Sequence, residues 1–264
     1  HMDDEVLACG GTVAGLPQKE RIHIAYATDG TKSPVPLVPW LGSPTVDLAK
    51  MRVEESQKAT SILGIPPDNV HYLALPDGKL KQHKNELRVS MSALIADLEP
   101  DFIFVPFRYD RHPDHLTLRR ALLESASGTN CETNIIEYFV YHRYRLLPRK
   151  DIREYIDPRH LIGVDIRDHA NEKMKALQCF KSQTTTIFQW QNRPILPKER
   201  IQEVSSSPEL FIRYSPDHPG DSIFKASGAW IRFVHAIEPY LKTKKEQILS
   251  ITHLGRIRND NRKD

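Results

Sequence analysis

Along the first two thirds of the chain, short apolar runs alternate with stretches whose apolar positions recur at helical spacing. A short apolar run bounded by turn residues reads as a buried strand, and recurrence near every third or fourth residue as an amphipathic helix. Alternation of the two predicts parallel strands joined by crossover helices, hence an α/β fold. The strands fall at Ile22–Tyr26, Val70–Leu73, Phe102–Val105, Ile135–Val140 and Leu161–Val164, and the helices at Glu5–Ala14, Val46–Leu63, Asn85–Leu98, Leu116–Ser125 and Asn171–Phe180.

Helix ends are marked by Gly64 with Pro66 and Pro67 beyond it, and by Pro100 after Leu98, because glycine closes a helix in the left-handed region and proline cannot continue one. Between Thr31 and Pro44, four prolines surround Trp40 and predict a long ordered loop. Past Phe180 the periodicity fades. Residues 182–222 mix proline, serine and polar residues with Phe188, Trp190 and Phe211, and read as a loop-rich cap over the site; a last helix is expected over Ile231–Leu249, interrupted at Pro239.

The 264 residues, 39% hydrophobic and 27% charged, suit one soluble domain spanning 1–264 with one large core. A formal net charge of +3 is far from the concentrated basic surface that nucleic-acid binding needs, and the basic tail from Arg256 to Lys263 reads as solvated. Cys9, Cys131 and Cys179 are odd in number and outside any CxxC pattern, so neither a disulfide framework nor a cysteine metal site is expected, and a reducing, cytoplasmic setting fits better. No stretch approaches the apolar length of a membrane span, and the opening lacks a signal-like segment.

Two polar clusters change this picture from a generic α/β domain to a candidate enzyme. The chain opens His1-Met2-Asp3-Asp4-Glu5 ahead of a helix, where an acidic cap alone would also suit the helix dipole. Asp110-Arg111-His112-Pro113-Asp114-His115 follows the strand at Phe102–Val105, the place where open α/β sheets put their ligand crevice. Taken alone, that second cluster could be a polar turn with Pro113 and Asp114 starting a helix. Together the clusters bring imidazoles and carboxylates to one crevice, as a catalytic zinc with three protein ligands and an open position requires.

His1, Asp4 and His115 are the expected ligands, leaving net positive charge that lets water at the open position lose a proton near neutral pH. Asp3 is the expected general base. His112 is expected as an imidazolium facing the oxyanion, its charge held by Asp114, which could equally serve only as a cap. Two histidines and a carboxylate also suit ferrous iron, so the expected cofactor is Zn2+ with Fe2+ as the alternative.

These residues resemble the N-acetylglucosaminylphosphatidylinositol de-N-acetylase superfamily, the PIG-L or LmbE-like proteins, whose signatures are H-P-D-D-E near the start and H-P-D-H centrally. The second signature is complete; the first has Met2 for proline. Thr28-Asp29-Gly30, Arg52, Glu55, Ala59, Leu63-Gly64, Asp77-Gly78 and Ser182-Gln183 agree in order, so the resemblance covers roughly Ile22 to Gln183 plus the opening. It implies a Rossmann-like domain, zinc on the residues matching His1, Asp4 and His115, a base at Asp3, an electrophile at His112, and Arg52 and Asp77 as substrate-binding residues. From physics alone Arg52 would sooner be a surface helix residue and Asp77 a turn residue before glycine. Relatives carry a buried strand immediately ahead of the first motif histidine, whereas this sequence starts at that histidine, so the first strand of the resemblance is expected to be absent from it.

The leading expectation is a zinc-dependent deacetylase acting on an N-acetylglucosamine-type sugar or glycoconjugate, with an amidase on a thiol conjugate close to it. A carbohydrate- or nucleotide-binding protein that keeps the fold without turnover is the reading from another class. Nicotinamide or flavin chemistry fits poorly, since no GxGxxG follows a strand and the acidic residues ahead of Gly10 would repel a pyrophosphate. Asp217-His218-Pro219-Gly220-Asp221 lacks the second histidine of the metal motif and reads as a polar loop, and Trp40, Phe188 and Trp190 read as packing residues before sugar platforms.

Overall fold

The computed structural model describes residues 1–34, 46–128, 133–214, 222–225, 228–239 and 241. The loop around Trp40, the Asp217–Asp221 stretch, Cys131 and the basic tail from Arg256 to Lys263 lie outside the described residues. The chain divides into two compact units: His1–Tyr141 with His160–Pro216, and His142–Arg159 with Asp217–Asp264.

The first unit carries the predicted alternation. Its elements are α1 (Asp4–Gly15), β1 (Ile24–Thr28), α2 (Leu48–Ile62), β2 (Val70–Leu75), α3 (Lys84–Leu98), β3 (Phe102–Pro106), α4 (Pro113–Ala126), β4 (Asn134–Tyr138), β5 (Leu161–Val164), α5 (Ala170–Cys179), the single turn α6 (Lys181–Thr184), α7 (Lys198–Ser206) and β6 (Glu209–Arg213). Local chemistry sets the boundaries. Asp47 caps α2 by accepting from Lys50 N at 3.1 Å. Gly64 ends the same helix at φ +79°. Pro113 occupies the first turn of α4, where its missing N–H is no loss.

β1 pairs with β2 and β3 with β4, both parallel, as crossover helices require. Beyond β4 the pairing turns antiparallel: β6 inserts between β4 and β5, giving the order β3-β4-β6-β5. The α/β class is therefore as expected, but residues 182–222 supply more than a loop-rich cap. They contribute α7 and a strand whose Phe211 and Ile212 are buried, with Leu196 and Ile201 joining the core cluster of Met2, Val6, Ile24, Tyr26, Leu177 and Phe180. The strand was missed because its apolar run of Leu210, Phe211 and Ile212 is short and isolated, and only pairing on both sides decides that it is extended. Phe188 and Trp190 stack on each other at 5.3 Å between ring centroids.

In the second unit the strap 142–159 folds back on itself through a bridge between Arg143 and Asp151, and Asp157 N donates to Ile223 O at 2.8 Å. A helical run over residues 228–239 extends to Pro239, and Tyr144 Oη meets His235 Nδ1 at 2.6 Å. No described helix is long and apolar enough to cross a membrane.

Candidate active site

Two parallel pairs in separate sheets, β1 with β2 and β3 with β4, are followed by polar residues: Asp29 after β1, Asp77 after β2, Asp110 to His115 after β3, and Tyr141 after β4. The start of α1 brings His1, Asp3 and Asp4 to the same place. Open α/β sheets bind ligands there because the strands end and the loops diverge.

The three expected ligands meet. His1 Nδ1 lies 2.9 Å from Asp4 Oδ2, His115 Nε2 lies 2.9 Å from the same oxygen, and the two ring nitrogens are 3.1 Å apart. In a tetrahedral site with bonds near 2.0–2.1 Å, neighbouring donors are separated by roughly 3.3 Å, so this triangle is one face of such a site, slightly contracted. Hydrogen bonds alone serve it poorly: if both nitrogens donate to Asp4, their protons confront each other across the third edge. The donor set therefore fits a divalent metal, which takes all three lone pairs at once. Two looser triads, His1/His112/His115 and His1/Asp77/Asp114, place their donor atoms within 4.8 Å, but the triangle through Asp4 is the tighter.

Each ligand histidine is backed by a buried carboxylate at its other nitrogen. His1 Nε2 lies 3.1 Å from Asp77 Oδ1, and His115 Nδ1 lies 3.1 Å from Asp110 Oδ1. Carboxylates in that position fix ring orientation and raise ligand basicity. The second contact lacks the alignment of a full hydrogen bond, leaving His115 Nδ1 without a hydrogen-bond partner. Asp110 is held in turn by His112 N at 2.8 Å and Tyr141 N at 3.0 Å.

The two residues expected to bind substrate are both buried and make contacts within the protein. Asp77 is buried, with Oδ1 3.1 Å from His1 Nε2 and Oδ2 accepting from Lys32 N at 3.0 Å. Arg52, only 2% exposed, is turned inward onto Met2 O, onto Asp3 Oδ1 at 3.4 Å and onto Ser182 Oγ at 3.4 Å, with its guanidinium 5.5 Å from the Phe180 ring centre. Asp114 also departs from expectation. Its carboxylate accepts from Gly78 N at 2.6 Å and Leu80 N at 3.2 Å and does not hold His112. His112 is instead the N-cap of α4 with extended backbone, and its side chain accepts from Asp114 N while the Asp114 carboxylate reaches the loop after β2.

The electrostatics follow from this packing. Burial works against charge on His1, but Asp4 and Asp77 prevail and raise it well above an ordinary histidine. His115 behaves likewise: burial lowers it, Asp4 and Asp110 outweigh burial, and it rises to about 9. Asp4, despite burial, is held far below the usual carboxylate range by His115 and His1. His112 is pushed down to about 4 by burial and by the charges on His1 and His115, so it is neutral at pH 7 and not the expected imidazolium. Its Nδ1 accepts Asp114 N–H at 3.3 Å, which puts the ring proton on Nε2 as a donor. Burial raises Asp3 to about 6 even with Arg52 beside it, so it is a carboxylate at pH 7.

Four further residues belong to the site and were not singled out from the sequence. Asp110 stands in the quoted cluster, Glu5 in the opening motif and Glu55 among the resemblance's positions, so each had a signal without a role. Glu5, raised to about 7 chiefly by burial, accepts Tyr26 Oη–H at 2.6 Å and Asp3 N–H at 3.0 Å. Tyr141 had no signal at all; it comes to lie stacked on His112 at 5.6 Å and tilted against His115 at 5.4 Å.

Comparison with known proteins agrees with this geometry. Residues 1–126 match the family model for PIG-L, described as GlcNAc-PI de-N-acetylase. Among solved structures, the chain resembles N,N'-diacetylchitobiose deacetylase from Pyrococcus horikoshii (20% identity, TM-score 0.57, covering 81% of this chain and 80% of that one). It also resembles a conserved protein from Thermus thermophilus (21% identity, TM-score 0.55, 83% and 96%). The 4-carboxy-2-hydroxymuconate hydratase of Pseudomonas putida is similar too (15% identity, TM-score 0.57, 83% and 95%). At such identities the likeness is one of fold. The resemblance to the PIG-L and LmbE-like proteins drawn from the motifs is thereby a finding over residues 1–126, the span that holds every donor of the His1, Asp4 and His115 triangle.

Proposed function

We propose that the chain, working as one domain over residues 1–264, is a zinc-dependent deacetylase that hydrolyses the N-acetyl group of an N-acetylglucosamine-type sugar or its conjugate. The observation that carries the reading is the triangle of His1 Nδ1, Asp4 Oδ2 and His115 Nε2 with the Asp3 carboxylate beside it. A metal there supplies Lewis acidity toward the amide carbonyl and acidifies water.

The chain's own residues do the rest. Asp3, ionised above its value of about 6, takes a proton from the attacking water as the new O–C bond forms. His112, neutral with Nε2–H, donates to the carbonyl oxygen as it gains negative charge, which needs no prior protonation. Asp3 then returns the proton to the nitrogen as the C–N bond breaks, releasing acetate and the free amine. Ferrous iron in the same triangle is the alternative occupant, since the donor set serves both metals. The free, buried Cys9 and free Cys179 support a reducing, cytoplasmic setting.

Acetate release from a panel of N-acetylated sugars and their conjugates, with metal content measured on the same samples, tests this reading. Release that depends on metal and falls at least about 100-fold in Asp3→Asn is the expected result, in line with the loss of a general base. Because a hydratase shares the fold, 4-carboxy-2-hydroxymuconate belongs in the panel; metal-dependent hydration of it with no acetate released from any amide would replace the deacetylase reading. Stoichiometric metal without turnover of either kind would favour the binding-protein alternative.

A further inference from the structure

We propose that the second unit is a membrane-docking surface, in which an exposed apolar stripe on its helical run and an excess of basic charge together hold the protein on an anionic lipid bilayer. The proposal is independent of the deacetylase reading, because it uses no residue of the candidate active site.

The helical run that begins at residue 228 carries two lines of side chains, and the fold uses only one. Ile231 and Val234 are buried, and in line with them the buried Glu238 carboxylate accepts from Arg145 N at 2.7 Å and Leu146 N at 3.1 Å. Beside that line run Trp230, Phe233, Ile237 and Leu241, spaced three, four and four residues apart, which keeps them on one side of a helix. Trp230 is 45% exposed, Phe233 50% and Leu241 48%, and the two rings stack at 5.4 Å between centroids. Single apolar residues scattered on a surface need no explanation, but a contiguous stripe with a tryptophan and a phenylalanine marks a contact face.

Charge names the occupant. The second unit holds 15 lysines and arginines against nine aspartates and glutamates, a net charge of +6 in a chain whose total is +3, so the first unit carries −3. Lys242, Lys244 and Lys245 follow the stripe directly in sequence. Aromatic and aliphatic side chains on one helix face, with clustered lysines beside them, suit the headgroup layer of a bilayer: the rings enter the acyl boundary while ammonium groups meet anionic headgroups. A second copy of the chain fits less well, since two surfaces of like charge repel. A nucleic acid would use the charge and could stack on the rings, but has no use for Ile237 and Leu241 in the same stripe. No described helix is long and apolar enough to cross a membrane, so the contact is made at the surface.

The test mixes the full chain with vesicles of phosphatidylcholine alone, or of phosphatidylcholine with about a third phosphatidylserine, and sediments them. The parent is expected to bind the anionic vesicles at least about tenfold more tightly than the neutral ones, and to be released as salt rises toward about 1 M. Joint substitution Trp230→Ser and Phe233→Ser, at half-exposed positions, is expected to weaken binding at least about tenfold. Joint substitution Lys242→Gln, Lys244→Gln and Lys245→Gln is expected to do the same, and serves if the aromatic variant does not fold. Tryptophan emission is expected to shift to the blue on anionic vesicles, and the shift to shrink in Trp230→Phe. Equal binding to both kinds of vesicle, or binding to neither, would overturn the proposal. So would an aromatic variant that is folded and binds as the parent does, because the stripe would then be a bystander to charge alone. A parent that ignores vesicles but binds single-stranded RNA, or that dimerises through Trp230 and Phe233, would overturn it too and give the face to that partner.

Discussion

At the scale of the residue, carboxylates favour the protonated forms of the site histidines. Burial lowers His1 and His115, but the carboxylates flanking each outweigh it and raise both above an ordinary histidine, His115 to about 9. A metal ligand must be deprotonated. Binding one divalent ion at pH 7 is therefore expected to release at least the His115 proton, which calorimetry in buffers of different ionisation enthalpy would count. Release should diminish as pH passes about 9, where His115 loses its proton unaided. The sign for stability follows from the same shift: a raised histidine stabilises the metal-free fold most below its unfolded value of about 6.5, and that contribution is lost as pH rises through about 9. Metal-free protein should thus melt at a lower temperature at pH 9.5 than at pH 7. Equal proton release at both pH values would contradict the assignment.

At the scale of the element, the loop after β2 is positioned by the helix after β3. Asp114, in the first turn of α4, accepts from Gly78 N and Leu80 N, while Asp29, at the end of β1, accepts from Asp77 N at 3.2 Å and from Thr31. Two strand ends and one helix thereby fix Asp77 against His1. Gly78 sits at φ +74°, where a Cβ is strained, and an added Cβ would also press on the Lys32 side chain at 2.6 Å. Gly78→Ala is expected to cost about 1–2 kcal/mol from the backbone alone. Because it displaces the carboxylate that orients a ligand, it should also weaken metal affinity by about tenfold or more, read by competition with a chelating dye. Weakened stability with unaltered metal affinity would mean that Asp77 is held by something other than this loop.

At the scale of the whole molecule, the core and the site are separable. Leu177, on α5, is fully buried in the cluster with Val6, Ile24 and Phe180. Leu177→Ala should lower unfolding free energy by about 2–5 kcal/mol in urea titrations while leaving metal affinity of the folded protein within a factor of two or so. Deeper coupling runs through Glu209 on β6, which accepts from Gly11 N and Thr12 N at 2.8 Å each and pairs with buried Lys173 at 2.6 Å. That pair ties α1, α5 and the inserted strand into one body, and it is the reason the segment after Phe180 belongs to the fold.

What the sequence by itself determined is what local chemistry controls. Apolar periodicity placed β1 to β5 and α1 to α5 to within a few residues, because a strand or an amphipathic helix announces itself over its own length. The spacing of His1, Asp4, His112 and His115 marked a candidate metal site because ligand types are few and their motifs short. Only the tertiary structure decided the rest. It showed that β6 is a strand, since its pairing partners lie far away in sequence. It also buried Arg52 and Asp77, separated the Asp114 carboxylate from His112, lowered His112, and brought Tyr141 onto the histidines. Each of these depends on burial and on partners from other elements, and both are properties of packing that no window of sequence contains.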